Sequence, residues 1–308
     1  MSERRGVLLQ GDCLELIPRL VRKAADRFDL VYVDPPFNAG GRRAARTGAG
    51  ARIDGPEAYR DAWGGIGAFL EMLEPRLEVM RNAMSQCSSL WLHLDHRAVH
   101  DAKLACDRVF GRQNYRGEII WTPGNGARGK SGLSVTHQTI LVYSRTDKMI
   151  WNDSDELLRE PYAETSQRMH FTERDGDGRR YRERRIAGKV YRYYADRGRR
   201  LGSVWTDCPS MRCNTPLIGE TTGYPTQKPE RLLERIVRAA SRERSRVLDP
   251  MCGSGSTLVV ASRLGRRWAG IDASPLAYRV AKARLGAPSK KLSGKPCSPL
   301  ARPGSADS

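Results

Sequence analysis

Val31-Tyr32-Val33-Asp34-Pro35-Pro36-Phe37-Asn38 decides how this chain is read. Leu30 to Val33 form a short apolar run, the pattern of a strand buried on both faces. An acid, two prolines and an aromatic follow it. Each proline fixes φ, lacks an N–H, and pushes the residue before it out of the helical region. The backbone after Asp34 is thereby held open, with carbonyls that no helix consumes. An acid, free carbonyls and an aromatic face at the C-terminal end of a strand suit a flat ligand that bears an amino group. A strand followed by a simple Pro-Pro turn is the plainer reading of the same residues.

A second stretch, far downstream, has the form of a ligand loop. Arg246-Val247-Leu248 reads as a strand leading into Asp249-Pro250-Met251-Cys252-Gly253-Ser254-Gly255. Its glycines mark a strand-to-helix turn where backbone must approach a ligand closely. Leu258 stands where a dinucleotide fingerprint has its third glycine, and there is no Gly-Lys-Ser/Thr, so both phosphate-binding loops are excluded. A Rossmann-like loop for a ligand without phosphates remains. Trp268 to Ile271 form the next strand, and Asp272 follows Asp249 by 23 residues. An acid about 20 residues on meets ribose hydroxyls in Rossmann sites. Ser274-Pro275 reads as the cap of the last helix.

Asp34-Pro35-Pro36-Phe37 resembles the D-P-P-[YF] motif of DNA methyltransferases that modify exocyclic amino groups. Asp249 to Gly255 resembles the S-adenosylmethionine loop of the same family. The catalytic motif precedes the cofactor loop, which is the order of the family's β group. The resemblance covers roughly residues 6 to 285. It implies an α/β fold of the Rossmann-like, S-adenosylmethionine-dependent methyltransferase kind: a mostly parallel, seven-stranded-type sheet with helices on both faces, circularly permuted motif order, and an inserted recognition region.

It also implies roles. Asp34 and the Pro35 carbonyl would accept hydrogen bonds from the target amine, with Pro36 shaping the turn and Phe37 stacking on a flipped base. Asp12 and Cys13, in Gly11-Asp12-Cys13, would lie beside the cofactor adenine; Asp12 as a plain N-cap is an equally good reading. Thr226-Gln227-Lys228-Pro229 resembles the T-Q-K-P motif at the methionine end, which brings in Thr226 and Lys228. Asp34, Asp249, Pro250, Met251, Gly253, Ser254, Gly255, Asp272 and Ser274 complete the implied cofactor set. The family usually has an aromatic at Met251 and a threonine at Ser256, departures that bear on affinity. Cytosine enzymes of this kind mostly carry serine where this chain has Asp34, so adenine is the expected base. An N(4)-cytosine enzyme, an RNA methyltransferase and a DNA-binding regulator on the same fold are the rival readings.

Between the two motifs the pattern alternates. Helices are expected through Leu14, Ile17 and Leu20, over Phe69 to Met80, and up to Phe110; strands at Ser89 to Leu94, Glu118 to Trp121 and Thr139 to Tyr143. His96 and His100 share a helical spacing but lack a third ligand, so no metal site is expected, and Asp95 is read as a helix cap. Residues 38 to 60, rich in Gly and Arg, read as a mobile loop. The alternation fades from Trp151 to Gly223. Between Ser166 and Arg200 twelve Lys/Arg face five Asp/Glu, with Tyr181, Tyr191, Tyr193 and Tyr194 interleaved. The expected division is a catalytic half at 1–150, a target-recognition insertion at 151–223, a cofactor half at 224–286, and a disordered Pro/Ser/Lys-rich tail at 287–308.

A formal charge of +18, from 53 basic and 35 acidic side chains in 308 residues, favours a polyanionic partner. Double-stranded DNA is the partner expected, contacted by Arg42, Arg43, Arg179, Arg180, Arg184 and Arg185. A homodimer and a cognate restriction endonuclease are the protein partners the resemblance suggests. Seven cysteines without C-x-x-C spacing read as free thiols, no apolar run reaches the ~20 residues of a membrane span, and a cytoplasmic location is expected.

Overall fold

The computed structural model describes residues 6–37, 40–45, 55–124, 132–211 and 219–286. The expected tail at 287–308 and the middle of the 38–60 stretch lie outside the described residues.

Eight strands form one sheet: β1 (Gly6–Gln10), β2 (Phe28–Val33), β3 (Met84–Leu94), β4 (Tyr115–Trp121), β5 (Gln138–Ser144), β6 (Val204–Trp205), β7 (Arg246–Asp249) and β8 (Arg267–Asp272). Their order across the sheet is β1-β8-β7-β2-β3-β5-β4-β6. All neighbours are parallel except β5, which runs antiparallel to both β3 and β4. The expectation of a seven-stranded sheet is thus exceeded by one two-residue edge strand, β6. It comes from inside the 151–223 interval, so that interval also contributes to the sheet.

β2 shows why the sheet has helices on both faces. Val31 and Val33 point into one apolar layer, packed by α1 (Cys13–Leu20), α2 (Ile66–Ala83) and α3 (Val99–Phe110). Leu30 and Tyr32 point into the other, packed by α5 (Glu230–Ala240) and α6 (Ser256–Arg263). Successive strand residues face opposite sides, so a wholly apolar strand needs cover on both. α2 is longer than its apolar stripe predicts, starting at Gly65 as N-cap. Asp95 does not cap α3 directly. Its side chain accepts from Arg97 N at 3.0 Å, capping the turn one residue before the helix's own N-cap, Ala98.

The 151–223 interval holds a short helix, α4 (Glu164–His170), and a three-stranded antiparallel sheet. The latter is made of Glu173–Arg174, Arg180–Ile186 and Lys189–Tyr194. Trp151 stacks on Trp91 of β3 at 6.4 Å and ties the start of the interval to the main sheet. The 38–60 stretch is not wholly loop: Arg42–Ala44 pairs with Glu57–Arg60 as an antiparallel hairpin. Among the described residues no helix is long and apolar enough to cross a membrane.

Leu73 is fully buried between α2 and the sheet. Leu73→Ala removes its packing and leaves a cavity, so urea denaturation should show about 2–5 kcal/mol lost.

Candidate active site

β2, β7, β8 and β1 run parallel, so their C-terminal ends open on one side of the sheet, where α/β folds place their ligands. A cavity of about 870 Å³ lies there. It is lined by every residue named above for catalysis or cofactor binding except Gly255. Its volume falls within the range of about 300–1,000 Å³ usual for ligand pockets.

Asp34 ends β2 and is mostly buried. Lys228, just before α5, donates from Nζ to Asp34 Oδ2, while Oδ1 is buried and has no partner among the described residues. Burial pushes the Asp34 carboxyl above the usual carboxylate range, and Lys228 pulls against that shift. The same ammonium lies 5.2 Å from the centroid of the Phe37 ring. Phe37 in turn lies 6.2 Å from His93, a fully buried residue of β3. His93 Nε2 donates to Gln138 Oε1 at 2.8 Å, leaving Nδ1 to accept from the Tyr32 hydroxyl at 2.9 Å. Burial holds His93 well below its ordinary pKa, so the wall behind Phe37 is uncharged at neutral pH.

Across the cavity, the turn after β7 has Gly253 at φ 50° and Gly255 at φ 76°, both left-handed. A Cβ on Gly255 would sit 2.8 Å from Ala281 Cβ, so glycine also lets α6 and α7 (Pro275–Gly286) approach. Asp272, at the end of β8, accepts from Gly253 N and from Ser274 N, both at 2.8 Å, one on each carboxylate oxygen. It thereby clamps the glycine turn to the start of α7. Each oxygen keeps a second lone pair for a ligand. Ser274 Oγ accepts from Ala277 N at 3.3 Å. Ser254 is buried, its hydroxyl within 3.2 Å of Ser256 Oγ. Asp249 is buried, accepts from Met251 N at 3.3 Å, and is raised by burial to about 7.

Asp12 does two things. Its Oδ1 caps α1 by accepting from Leu14 N at 2.9 Å, and its Oδ2 pairs with Arg76 of α2. Cys13 is buried beside it, its thiol pushed up to about 12 by burial. Thr226 is held at φ 59°, rare for a β-branched residue, and its hydroxyl lies 3.0 Å from the Tyr59 hydroxyl.

Among the lining residues that sequence reasoning missed, Tyr32, Trp121 and Gln138 come from the main sheet, and others come from the hairpin at 42–60. Tyr59 and Asp61 reach the cavity from it, and Tyr59 stacks on Tyr224 at 6.4 Å. Their only signal was an aromatic and an acid at the end of a glycine- and arginine-rich stretch.

The six arginines expected on DNA separate into groups. Arg43 turns into the cavity and pairs with Asp61 at 3.2 Å, whereas Arg42 stays on the surface near Glu57. Arg179 pairs with Asp196 at 2.9 Å, and Arg180 donates to the carbonyls of Phe171 and Gln167. Arg184 and Arg185 are exposed and form no ion pair among the described residues.

Residues 28–283 match the family model described as DNA methylase. A type II methyltransferase of Enterobacter cloacae, M.EcaI, is 28% identical over 83% of this chain, which spans 64% of that protein. The DNA adenine methyltransferase YhdJ of Escherichia coli is 26% identical over 86% of this chain and 77% of its own length. The chain spans only 25% of the E. coli type III EcoP15I Mod subunit, at 28% identity over 47% of this chain. Among solved structures, PvuII DNA methyltransferase (cytosine-N4-specific) has TM-score 0.58 at 14% identity, covering 91% of this chain and 86% of that one. The complex of M1.HpyAVI with S-adenosylmethionine has TM-score 0.55 at 16% identity, covering 92% and 100%.

Asp249 gives the site a pH signature. Its folded pKa lies above its unfolded value, so its stabilising contribution is full below the unfolded carboxylate range and is lost as pH rises through about 7. Between about pH 4 and about pH 7 the protein should therefore lose stability relative to Asp249→Asn. Parallel denaturation curves for the two proteins would remove the shift.

Proposed function

The chain belongs to the DNA methylase family, and from that premise we propose that it transfers a methyl group from S-adenosylmethionine to the N6 amine of adenine in duplex DNA. The observation that carries this reading is the unpartnered, buried Asp34 Oδ1 at the end of β2, in the same cavity as the glycine turn and Asp272.

The residues present fit the cofactor. Asp272 and the backbone at Gly253 would meet its nucleoside half, and Thr226 with Lys228 would lie toward its methionine half. When bound, it supplies a methyl group on a positively charged sulfur, a strong electrophile. The chain's own task is to make a poor nucleophile attack. An exocyclic amine delocalises its lone pair into the ring. Asp34 Oδ1 and the Pro35 carbonyl, each accepting one N–H, draw the nitrogen toward tetrahedral geometry and free the lone pair. The positive charge that methylation would build on this nitrogen would lie beside the Asp34 carboxylate, where a fixed acceptor helps most. The amine then sheds one proton to Asp34 Oδ1, whose affinity for it burial has raised. Lys228, on the other oxygen, keeps the carboxylate ionised beforehand. Phe37 offers the base a face to stack on, and the duplex must release that base into the cavity. Alignment supplies much of the remaining rate.

Adenine is supported by the carboxylate itself, a charge-assisted acceptor where cytosine enzymes mostly have a hydroxyl, and by the name of the YhdJ relative. The type II and type III modification enzymes among the relatives support a restriction endonuclease of matching specificity as partner. Such a substrate supports a cytoplasmic location, with the chromosome.

Asp34→Ala should abolish methylation of genomic DNA from a methylation-free host while S-adenosylhomocysteine still binds. Digestion to nucleosides and mass analysis should give N(6)-methyladenine. Methylcytosine as sole product would overturn the base assignment, and methylation of RNA alone the substrate class.

For the DNA surface, the reading now rests on Arg184 and Arg185. Reversing both to Glu should weaken duplex binding and flatten its salt dependence by roughly two units of log–log slope, because two phosphate contacts are lost. Retained affinity and slope would move the contact surface elsewhere, with exposed Arg42 the next candidate.

A further inference from the structure

Asp61 is the one buried carboxylate of the cavity to which nothing above gives a role. It ends the 42–60 hairpin and is 2% exposed. Its backbone is pinned on both sides: Asp61 N donates to Gly41 O at 2.9 Å, and its carbonyl accepts from Gly40 N at 2.8 Å. Arg43 Nε and Nη2 both donate to Asp61 Oδ2, at 3.3 and 3.2 Å. Asp61 Oδ1 is buried without a partner among the described residues.

The arrangement repeats that of Asp34. In each, a cation holds Oδ2 and leaves Oδ1 empty, and both carboxylates line the same cavity. They are close enough for the charge of Asp61 to raise the Asp34 carboxyl further. A buried acceptor left unmade costs about 1–3 kcal/mol, more when charged. One such atom is what the reaction requires; a second in the same cavity calls for a second donor. Arg43 directs both its Nε and Nη2 at Oδ2 instead of forking across the two oxygens, and the Tyr59 hydroxyl lies 3.0 Å from that of Thr226.

We propose that Asp61 is a second amino-group acceptor of the active cavity, its Oδ1 taking an N–H from one of the bound reactants while Arg43 holds its other oxygen. The inference rests on the methyltransferase reading. Two reactants carry the chemistry: the α-ammonium of the cofactor's methionine half and the exocyclic amine of the base. Both are primary nitrogen donors, and both carry or acquire positive charge.

The test uses the full chain with Asp61→Ala and Asp61→Asn, the latter keeping a neutral amide oxygen. Calorimetry compares S-adenosylhomocysteine with its analogue lacking the α-amino group, and steady-state kinetics on unmethylated genomic DNA separate kcat from KM. If the α-ammonium is the donor, Asp61→Ala loses about tenfold or more in affinity for S-adenosylhomocysteine. The analogue then binds variant and wild type alike, and Asp61→Asn falls between. If the base amine is the donor, cofactor affinity holds while kcat drops by a similar factor. The inference is overturned if affinity ratio and kcat are both unchanged, which would leave only water on Oδ1. It is overturned also if Arg43→Gln reproduces the full loss for both ligands equally, which would make Asp61 a prop for the hairpin. Wild-type protein that neither binds S-adenosylhomocysteine nor methylates DNA would instead sink the underlying reading.

Discussion

On the proposed reading, a largely buried carboxylate must stay ionised and keep one oxygen open to the cavity. That constraint at Asp34 organises the rest of the molecule. Burial alone favours the protonated form, which would cap the atom that has to accept. Lys228 offsets this from 194 residues away in sequence, so the ion pair joins the Asp34-Pro35-Pro36-Phe37 motif to the Thr226-Gln227-Lys228-Pro229 stretch. The joint holds only if β2 and β7 lie side by side, and they do, Leu30 against Val247 and Val31 against Leu248. Two apolar helical layers fix that adjacency. The chemistry of one aspartate thus depends on the packing of the whole sheet.

The two motifs at strand ends were legible because their spacing encodes local backbone. Asp34-Pro35-Pro36 announces an open chain after a strand, and Gly253-Ser254-Gly255 a turn into a helix. The burial of β2 on both faces followed from its unbroken apolar run. Residues whose role depends on a distant partner were not legible in that way. Arg43 and Arg42 are adjacent and chemically identical, yet one enters the cavity and the other stays outside, because a hairpin strand sends successive side chains to opposite faces. A stretch read as a loop offers no face to assign. The two-residue strand β6 was equally hidden, since its existence rests on pairing with β4 and on no pattern of its own.

Net charge misled in a related way. An excess of +18 points to a polyanion, but a count of arginines says nothing of which are already spoken for. On the hairpin at 180–194, cross-strand pairs sort the charges. Glu183 opposite Arg192 is neutralised on one face, while Arg184 lies opposite Tyr191 and forms no ion pair among the described residues. Arg192 also stacks on the Tyr181 ring at 4.1 Å, and Arg179 on Tyr194 at 4.1 Å. Those arginines help to build the three-stranded sheet of the 151–223 interval, so a count of basic side chains does not tell which of them face a partner.

The cavity itself is where local satisfaction is given up. Other carboxylates are held by cations at both of their oxygens: Asp207 by Arg235, and Glu230 by Arg263 and Arg284. At the strand ends two buried carboxylate oxygens stay open and Asp249 is forced toward protonation. Each feature lowers the stability of the empty protein. A fold selected only for stability would replace them with apolar or paired groups at little loss. Rigid backbone keeps them in place: prolines after Asp34, paired amides around Asp61, a clamped glycine turn before Asp272. Among the described residues that backbone leaves both oxygens without a partner, the arrangement that the nitrogen donors of the proposed reactants would complete.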